Sequence, residues 1–353
     1  MQVHIVQRLA PGGIEQLVLA LAETPGIHIF SLEGTVASLC SAWPKVTKSA
    51  DRLTAFDKAP GLRPLLVQRM ARRLRALGAT SVVTHHAGPL LYGGAAARLA
   101  GIRSYSHVEH DAWHLGDRRR RRMTALALRA WRPDRVAVSG VVAKAAAERT
   151  GLPFRVIPNG VDCTVFRPDI REAARRRLGL PAGKRIIGAV GRLEHVKGFD
   201  RLVEAARFLP PDVLVAIWGE GSQRDTLNAR IAALGLEGRV LLPGRTDQAA
   251  DIYPALDLYC LPSRFEGMPL SILEAQACGV PVIASDVGGV RDGLCPASGT
   301  AMRIEDGHPE RLADALAKAL DQPLRGDPRF FIQTNLSLGK TREAYLALET
   351  LHA

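Results

Sequence analysis

Short apolar runs alternate with segments of helical periodicity along the whole chain. The runs are rich in β-branched residues, whereas the segments between them carry apolar residues at three- and four-residue spacing, as in residues 14–22 and 65–77. This alternation predicts an α/β protein with parallel sheets. The predicted strands are residues 3–6, 81–84, 105–108, 135–138 and 155–157 in the first half, and 185–190, 213–218, 240–242, 258–261 and 280–284 in the second.

The two halves follow the same plan. At 353 residues the chain exceeds the size at which a single hydrophobic core usually stops growing, and a polar, basic stretch with Pro and Gly separates the halves. We expect a boundary near Pro168, with one Rossmann-like domain in residues 1–167 and a second in residues 168–330 facing it across a central cleft. The amphipathic segment 331–353 either extends the second domain or, as we expect, forms a helix that crosses back to the first.

Composition narrows the classes of partner. A formal net charge of +12 favours an anionic partner, which can be nucleic acid, a membrane surface or a phosphorylated substrate. The five cysteines include no C-x-x-C pair, so neither a disulfide framework nor a zinc site is predicted. The N-terminus is typical of a strand rather than a signal peptide, and no apolar run is long enough to span a bilayer. We therefore expect a cytoplasmic location.

The stretch SRFEGMPLSILEAQACGVPVIASD, residues 263–286, predicts a loop, a helix and a buried strand. Pro269 suits the first helical position, and Gly279 suits the end of the helix. Free N–H groups at the start of a helix bind phosphate oxygens, so Glu266 beside them is expected to contact a neighbouring hydroxyl-bearing group, and Glu274 another set of hydroxyls. The alternative is that Glu266 caps the helix and Glu274 is solvated.

Two cations follow the strand predicted at residues 185–190. Arg192 comes directly after Gly191, and Lys197 precedes a glycine and a helix. Ligands of open α/β sheets bind at the carboxyl ends of strands. A planar guanidinium and an ammonium are suited to a diphosphate, although two ordinary surface cations are an equally open interpretation.

Residues 107–115, HVEHDAWHL, bring three histidines, a glutamate and an aspartate close together. Metal binding is one interpretation, but His107, His110 and His114 lack a supporting set of cysteines or carboxylates, so no metal is expected. The alternatives are a structural imidazole, or a ligand-binding role for His110.

A run of arginines precedes a helix that bears Leu126, Leu128 and Trp131. The run is either a solvated face or a surface for anionic lipid headgroups or a phosphorylated acceptor, with each cation near a membrane contributing about 1 kcal/mol. Residues 67–79 add a second basic amphipathic helix to the same half, so we favour peripheral association with the inner face of the cell membrane. The membrane-facing candidates are Arg118, Arg119, Arg120, Arg121 and Arg122.

Together these stretches resemble glycosyltransferase family 4, the retaining, nucleotide-sugar-dependent enzymes of the GT-B fold. The strongest element of the resemblance is the pair Glu266 and Glu274, with seven residues between them. Four further motifs join it in the order typical of the family. They are PGGIEQL (11–17), VIPNGVD (156–162), GRLEHVKG (191–198) and WGEG (218–221).

The resemblance implies that residues 1–167 form the acceptor-binding domain and residues 168–330 the nucleotide-sugar-binding domain. It also implies roles for individual residues. Donor binding is implied for Gly13, Arg192, Lys197, Gly267, Met268, Leu270 and Glu274, and the acceptor side for Gly12, Gly13, His110 and Asp111. Catalytic roles are implied for His110, Glu266, Arg192 and Lys197. In this assignment Glu274 holds the ribose hydroxyls of the donor and Glu266 lies near the transferred sugar. Arg192 and Lys197 stabilise the departing diphosphate, so neither a metal nor another cofactor is expected.

The implied activity is sugar transfer from a nucleotide-diphosphate donor, foremost a UDP-sugar, to a glycan or lipid-linked acceptor. Such a reaction belongs to bacterial-type assembly of cell-surface polysaccharide, including lipopolysaccharide, or of glycolipid. A nucleotide-sugar 2-epimerase of the same fold is an alternative that transfers nothing to an acceptor. A basic, non-enzymatic nucleic-acid-binding protein is a further alternative, but with 5% aromatic residues and no recognition motif no nucleic acid is expected.

Overall fold

The structure, a computed structural model, describes residues 1–246 and 249–350. Its described residues form two units, each with its own parallel sheet and its own hydrophobic core. Among the described residues, the first unit combines residues 1–159 with residues 338–350, and the second comprises residues 160–337.

The boundary between the units follows Asn159 rather than lying near Pro168. The residues in between are hydrogen-bonded within the second unit. The Arg329 guanidinium donates to the carbonyl oxygens of Cys163 and Phe166, each at 3.0 Å. The polar stretch between the two predicted halves therefore belongs to the second unit from Gly160 onward.

The first unit is built on seven parallel strands that alternate with helices. The strands are β1 (Gln2–Val6), β2 (Ile27–Ser31), β3 (Leu53–Ala55), β4 (Ser81–His85), β5 (Ser104–Glu109), β6 (Asp134–Ala137) and β7 (Arg155–Val156). The helices are α1 (Gly13–Ala22), α2 (Val36–Ala42), α3 (Pro64–Ala76), α4 (Ala87–Ala100), α5 (Arg118–Trp131) and α6 (Gly140–Thr150). The sheet order is β3-β2-β1-β4-β5-β6-β7, which is a doubly wound, Rossmann-like arrangement.

The second unit repeats this plan with six parallel strands. The strands are β8 (Arg185–Val190), β9 (Val213–Trp218), β10 (Val240–Gly244), β11 (Leu258–Leu261), β12 (Val282–Ser285) and β13 (Gly299–Met302). The helices are α7 (Arg171–Arg177), α8 (Phe199–Ala205), α9 (Arg224–Ala233), α10 (Ala249–Ile252), α11 (Leu270–Ala277), α12 (Pro309–Asp321) and α13 (Pro328–Asn335). The sheet order is β10-β9-β8-β11-β12-β13. The predicted α/β fold with two Rossmann-like domains is confirmed.

Burial explains why these segments fold as they do. In α3, Leu66, Met70 and Leu74 recur every four residues on one side of the helix, and all three are buried in the core of the first unit. In β1, Val3 and Ile5 join the same core. Because successive side chains of a strand point to opposite faces, the polar residues between them lie on the other face of the sheet.

That other face is covered by the C-terminal helix α14 (Leu338–Thr350), as the crossing-back prediction requires. Tyr345 and Leu348 of α14 are buried, and the Leu348 carbonyl accepts a hydrogen bond from the Ser104 hydroxyl at 3.2 Å. The predicted segment 331–353 is not a single helix, because α13 ends at Asn335 and belongs to the second unit. Within the described residues, no helix combines the length and the apolar character needed to cross a membrane.

Candidate active site

In the second unit, the residues implied in donor binding lie in the loops at the carboxyl ends of β8 and β11 and in helix α11. The loop after β8 is held in place by the WGEG motif after β9. The Leu193 amide donates to the Glu220 carbonyl at 2.9 Å, and the Glu194 carboxylate accepts from the Ser222 amide at 3.1 Å and from its hydroxyl at 2.6 Å. A Cβ on Gly221 would lie 2.4 Å from the Leu193 carbonyl oxygen, so only glycine allows this approach.

Lys197 and Glu266 form an ion pair, with Nζ and Oε1 2.7 Å apart. The Ser263 hydroxyl donates to the same carboxylate oxygen at 2.6 Å. The exposed fractions are 20% for the lysine side chain and 8% for the glutamate, so both charges are largely removed from water and depend on each other. The alternative in which Glu266 merely caps the helix is wrong, because α11 has no side-chain cap hydrogen bond.

Arg192 lies on the same loop as Lys197 but in a different environment. Its side chain is exposed, and its guanidinium makes no hydrogen bond to any of the described residues. Its positive charge acts on Glu194, whose pKa is lowered first by the Ser222 hydrogen bonds and then by this guanidinium. Arg192 is therefore a cation that can bind an anionic ligand without breaking an existing bond.

The first turn of α11 begins at Leu270, one residue later than predicted. Pro269 has extended backbone angles and is the N-cap residue rather than the first helical residue. The preceding loop is fixed by the glycine pair after β12. The Gly289 amide donates to the Gly267 carbonyl at 2.6 Å, and a Cβ on Gly288 would lie 1.9 Å from the Glu266 carbonyl oxygen. The start of α11 thus has N–H groups without a side-chain cap, in a rigidly packed loop.

Glu274 is buried, with 6% exposed, so the alternative of a solvated glutamate is wrong. The Tyr253 hydroxyl donates a short hydrogen bond to its Oε2 atom. Burial and the charge of Glu274 raise the Tyr253 pKa well above its usual value, so this hydroxyl keeps its proton and remains a donor. Sequence reasoning missed Tyr253, which comes from the turn before β11.

In the first unit, Gly12 and Gly13 form the start of α1. Gly12 is the N-cap residue with an extended backbone, and its carbonyl accepts the first helical hydrogen bond, from Gln16 at 2.9 Å. A Cβ on Gly12 would meet only the flexible end of the Glu15 side chain. The Glu15 carboxylate thus lies beside the start of α1, and no positive φ requires glycine at position 12.

Two of the three histidines of HVEHDAWHL share one carboxylate. His107 Nε2 lies 3.3 Å from Glu109 Oε1, and His114 Nε2 lies 3.5 Å from Glu109 Oε2. His107 also contacts Thr84 Oγ1 at 3.0 Å, and His114 contacts Asp111 Oδ1 at 3.2 Å. Burial disfavours the charged form of His114, but the Asp111 hydrogen bond and the charge of Glu109 outweigh it and raise the pKa. Among the described residues, no group of three or more His, Cys, Asp or Glu side chains is arranged to hold a metal ion.

His110 bonds instead to His85, with Nε2 and Nδ1 2.8 Å apart, and is 7% exposed. Its position directly after β5 is the carboxyl end of a central strand, where ligands of such sheets bind. His85 also contacts His4. The sequence did not identify His85 or His4, because strand register and not sequence proximity brings these histidines together.

The arginine run forms the first turns of α5. Asp117 caps the helix, and its Oδ1 atom accepts from the Arg120 amide at 2.8 Å. Four of the five arginines are exposed and Arg121 is half-buried. Trp113, Met123 and Leu126 are large apolar residues exposed in and just before the same helix, by 60%, 42% and 66%.

Comparison with known proteins supplies a family. The family model described as Glycosyltransferase Family 4 matches residues 3–165, and the one described as Glycosyl transferases group 1 matches residues 170–334. The D-inositol 3-phosphate glycosyltransferase of Mycolicibacterium smegmatis (strain ATCC 700084 / mc(2)155) is 40% identical over 174 residues, which make up 47% of this chain and 40% of that protein. The matching part of the chain thus spans less than half the length of this curated relative.

Two solved structures resemble the whole chain. Alr3699/HepE of Anabaena in complex with UDP has a TM-score of 0.83 at 20% identity, and 99% of each chain is covered. WaaG, a glycosyltransferase involved in lipopolysaccharide biosynthesis, has a TM-score of 0.73 at 20% identity, again with 99% of each chain covered. These likenesses show the GT-B fold. The two family models cover nearly all of both units, and the chain belongs to glycosyltransferase family 4.

Proposed function

We propose that the protein is a retaining glycosyltransferase that uses a nucleotide-sugar donor. The observation that carries this proposal is the Lys197–Glu266 ion pair beside the start of α11. It holds a cation suited to phosphate 2.7 Å from a carboxylate suited to hydroxyl groups. A nucleotide sugar is a ligand that presents both partners side by side, because its diphosphate is bonded directly to a polyhydroxylated ring.

Donor binding exchanges the partners of this ion pair. Lys197 turns to a diphosphate oxygen, and Glu266 accepts hydrogen bonds from sugar hydroxyls, so that neither partly buried charge is left uncompensated. Arg192 supplies a second cation for the diphosphate. Glu274, oriented by Tyr253, accepts from the vicinal hydroxyls of the ribose.

The proposed chemistry relies on stabilising the leaving group. Negative charge accumulates on the diphosphate as its bond to the anomeric carbon breaks, and Arg192, Lys197 and the first N–H groups of α11 stabilise that charge. The acceptor hydroxyl attacks the face from which the diphosphate departs and passes its proton to the diphosphate, so the configuration is retained. These cations supply what a divalent metal supplies in other enzymes, and we propose that transfer needs no metal.

We propose a UDP-sugar as the donor. HepE, which shares the fold, has been solved with UDP and with UDP-glucose. For the acceptor we propose a glycan or a lipid-linked glycan of cell-surface polysaccharide or glycolipid assembly. Support comes from WaaG, which acts in lipopolysaccharide biosynthesis.

We further propose that α5 attaches the protein to the cytoplasmic face of an anionic membrane. The five arginines occupy the positive end of the helix dipole, where cations destabilise the helix, so their placement does not serve folding. The exposed Trp113, Met123 and Leu126 can insert between headgroups while the arginines bind phosphates.

The test begins with a thermal-shift screen against UDP-, GDP- and ADP-sugars, because a ligand that binds only the folded state raises the unfolding temperature. The sugar nucleotide that stabilises the protein is then incubated with the protein, in parallel samples that contain or lack EDTA. NMR follows the release of the nucleotide and the anomeric configuration of the product. We expect stabilisation by a UDP-sugar and EDTA-insensitive release of UDP with retention. Formation of the 2-epimer without release, or no stabilisation by any sugar nucleotide, contradicts the proposal.

A further inference from the structure

Four polar side chains of the first unit form a continuous hydrogen-bonded series on one face of the sheet. The histidine series consists of Gln2, His4, His85 and His110. His4 Nε2 lies 2.8 Å from Gln2 Oε1, His4 Nδ1 lies 3.0 Å from His85 Nε2, and His85 Nδ1 lies 2.8 Å from His110 Nε2. The series ends at the carboxyl edge of the sheet, at His110, which the family resemblance places on the acceptor side and among the catalytic residues.

Strand register produces the series. His4 pairs with Val83 across β1 and β4, and His85 pairs with Val108 across β4 and β5. Each histidine therefore lies two residues beyond the partner of the previous one, on the same face. This diagonal arrangement stacks His4 on His85, with ring centroids 5.2 Å apart, and places the tilted ring of His110 5.1 Å from that of His85.

A backbone carbonyl of α14 determines which atoms of the histidine series donate hydrogen bonds and which accept them. Gln2 Nε2 lies 3.0 Å from the Tyr345 carbonyl oxygen, which can only accept, so this atom is the amide nitrogen and Oε1 faces His4. Oε1 can only accept as well, so His4 Nε2 carries a proton.

Burial keeps the imidazoles neutral. It lowers the pKa of His4 to about 3, and it lowers the pKa of His85 and His110 well below the usual value, with neighbouring histidines adding to the effect for both. In a neutral imidazole one nitrogen donates and the other accepts. Because His4 Nε2 carries the proton, His4 Nδ1 accepts a hydrogen bond from His85 Nε2–H. His85 is then protonated at Nε2, so its Nδ1 atom accepts from His110 Nε2–H.

His110 Nδ1 is therefore an acceptor, and it is buried without a hydrogen-bond partner among the described residues. A buried polar atom without a partner is uncommon and is often completed by a ligand. A lone pair binds only a donor, so a hydroxyl fits this position, whereas a phosphate or carboxylate oxygen does not.

We infer that Gln2, His4 and His85 are positioning residues that hold His110 as a neutral imidazole whose Nδ1 atom accepts a hydrogen bond from a substrate hydroxyl. This inference rests on the proposed function for the nature of the substrate. The tautomers themselves exist without any substrate, so they are tested separately from transfer.

The first experiment is long-range 1H–15N NMR of the full chain labelled with 15N-histidine, because this spectrum distinguishes the two neutral tautomers from the charged ring. The ten histidine signals are assigned by single substitutions. We expect His4, His85 and His110 to be neutral and protonated at Nε2 between about pH 6 and 8. A proton on Nδ1 of His110, or a charged ring, overturns the inference even if the protein is an active transferase. In Gln2→Met, which lacks the amide, His110 is expected to become a mixture of tautomers.

The second experiment measures kinetics with the donor identified by the thermal-shift screen. His85→Leu removes the acceptor for His110 Nε2–H and should lower kcat about tenfold with little change in the donor KM. His85→Asn places an amide oxygen near the original Nδ1 and should restore most of kcat. His28→Leu is the matched control, because His28 is a buried strand histidine of the same sheet outside the series. Equal losses in all three variants, or no loss in His85→Leu, contradict a positioning role.

Discussion

The two units place different electrostatics at the carboxyl ends of their sheets. In the second unit, the ligand-binding candidates are a paired ammonium and carboxylate, an exposed guanidinium and a buried carboxylate bonded to a tyrosine. In the first unit, His110 and its neighbour His85 are imidazoles whose charged forms are strongly disfavoured by burial. The positive charge of the first unit lies instead on exposed helix surfaces, among them the arginine run at the start of α5.

This difference teaches how each unit can hold its site in place without a ligand. A charged group that is partly removed from water needs a partner of opposite charge. In the second unit, Lys197 and Glu266 meet this need by forming an ion pair with each other. Neutral rings keep a fixed donor and acceptor direction through hydrogen bonds alone.

The largest expected effect comes from removing the ammonium of the second unit. Lys197→Ala removes charge stabilisation from the departing diphosphate and should lower kcat about a hundredfold or more. The measurement is the initial rate of nucleotide release at saturating donor. Lys318→Ala, at an exposed position of α12, is the control and should leave the rate unchanged. A Lys197→Ala rate close to that of the unmodified protein would remove this residue from the site.

A smaller effect is expected on membrane binding when two charges in the arginine run of α5 are reversed. Arg119→Glu combined with Arg122→Glu should weaken binding to anionic vesicles, because each cation near the surface contributes about 1 kcal/mol. The variant should fold normally, since acidic residues are favourable at the start of a helix. Vesicle co-sedimentation provides the measurement, and Arg98→Glu with Lys144→Glu makes the same change in charge at exposed sites of α4 and α6. Equal weakening in both pairs indicates a general charge effect and contradicts attachment through α5.

The smallest effect concerns the orientation of a single carboxylate. Tyr253→Phe removes the hydroxyl that donates to Glu274 and should raise the donor KM roughly fivefold, at the scale of one hydrogen bond, with little change in kcat. Steady-state kinetics measure both constants. Tyr105→Phe is the control, because it removes a buried tyrosine hydroxyl that donates to the Leu90 carbonyl in the first unit. A kcat that falls as much as KM rises places Tyr253 in the chemical step instead.

The sequence predicts most of the sheet-forming segments, and the exceptions have a physical reason. The predicted bounds of β8, β9 and β11 are those observed, because these strands are apolar and most of their residues are buried. β13 was not predicted, because this edge strand, GTAM, is half exposed and contains no apolar run. β2 and β3 were also missed, and β3 has only three residues.

Local sequence motifs predict individual residues of the candidate site but not the partners that these residues contact. The motifs identify Lys197, Glu266 and Glu274, but they do not show that the first two bond to each other across 69 positions of sequence. The partners of Glu274 and His110 are likewise set by packing and register. Tyr253 lies 21 positions from Glu274, and His85 lies 25 from His110, so no local pattern connects them.

The contact between Tyr345 and Gln2 also bears on how the protein is made. Residues 338–350 are synthesised after the whole second unit, although they cover a face of the sheet that begins with β1. Until they leave the ribosome, that face is uncovered and Gln2 lacks the carbonyl that orients its amide. The first unit to emerge is thus the last to be completed, and a chain interrupted during translation of the second unit contains no finished domain at its N-terminus.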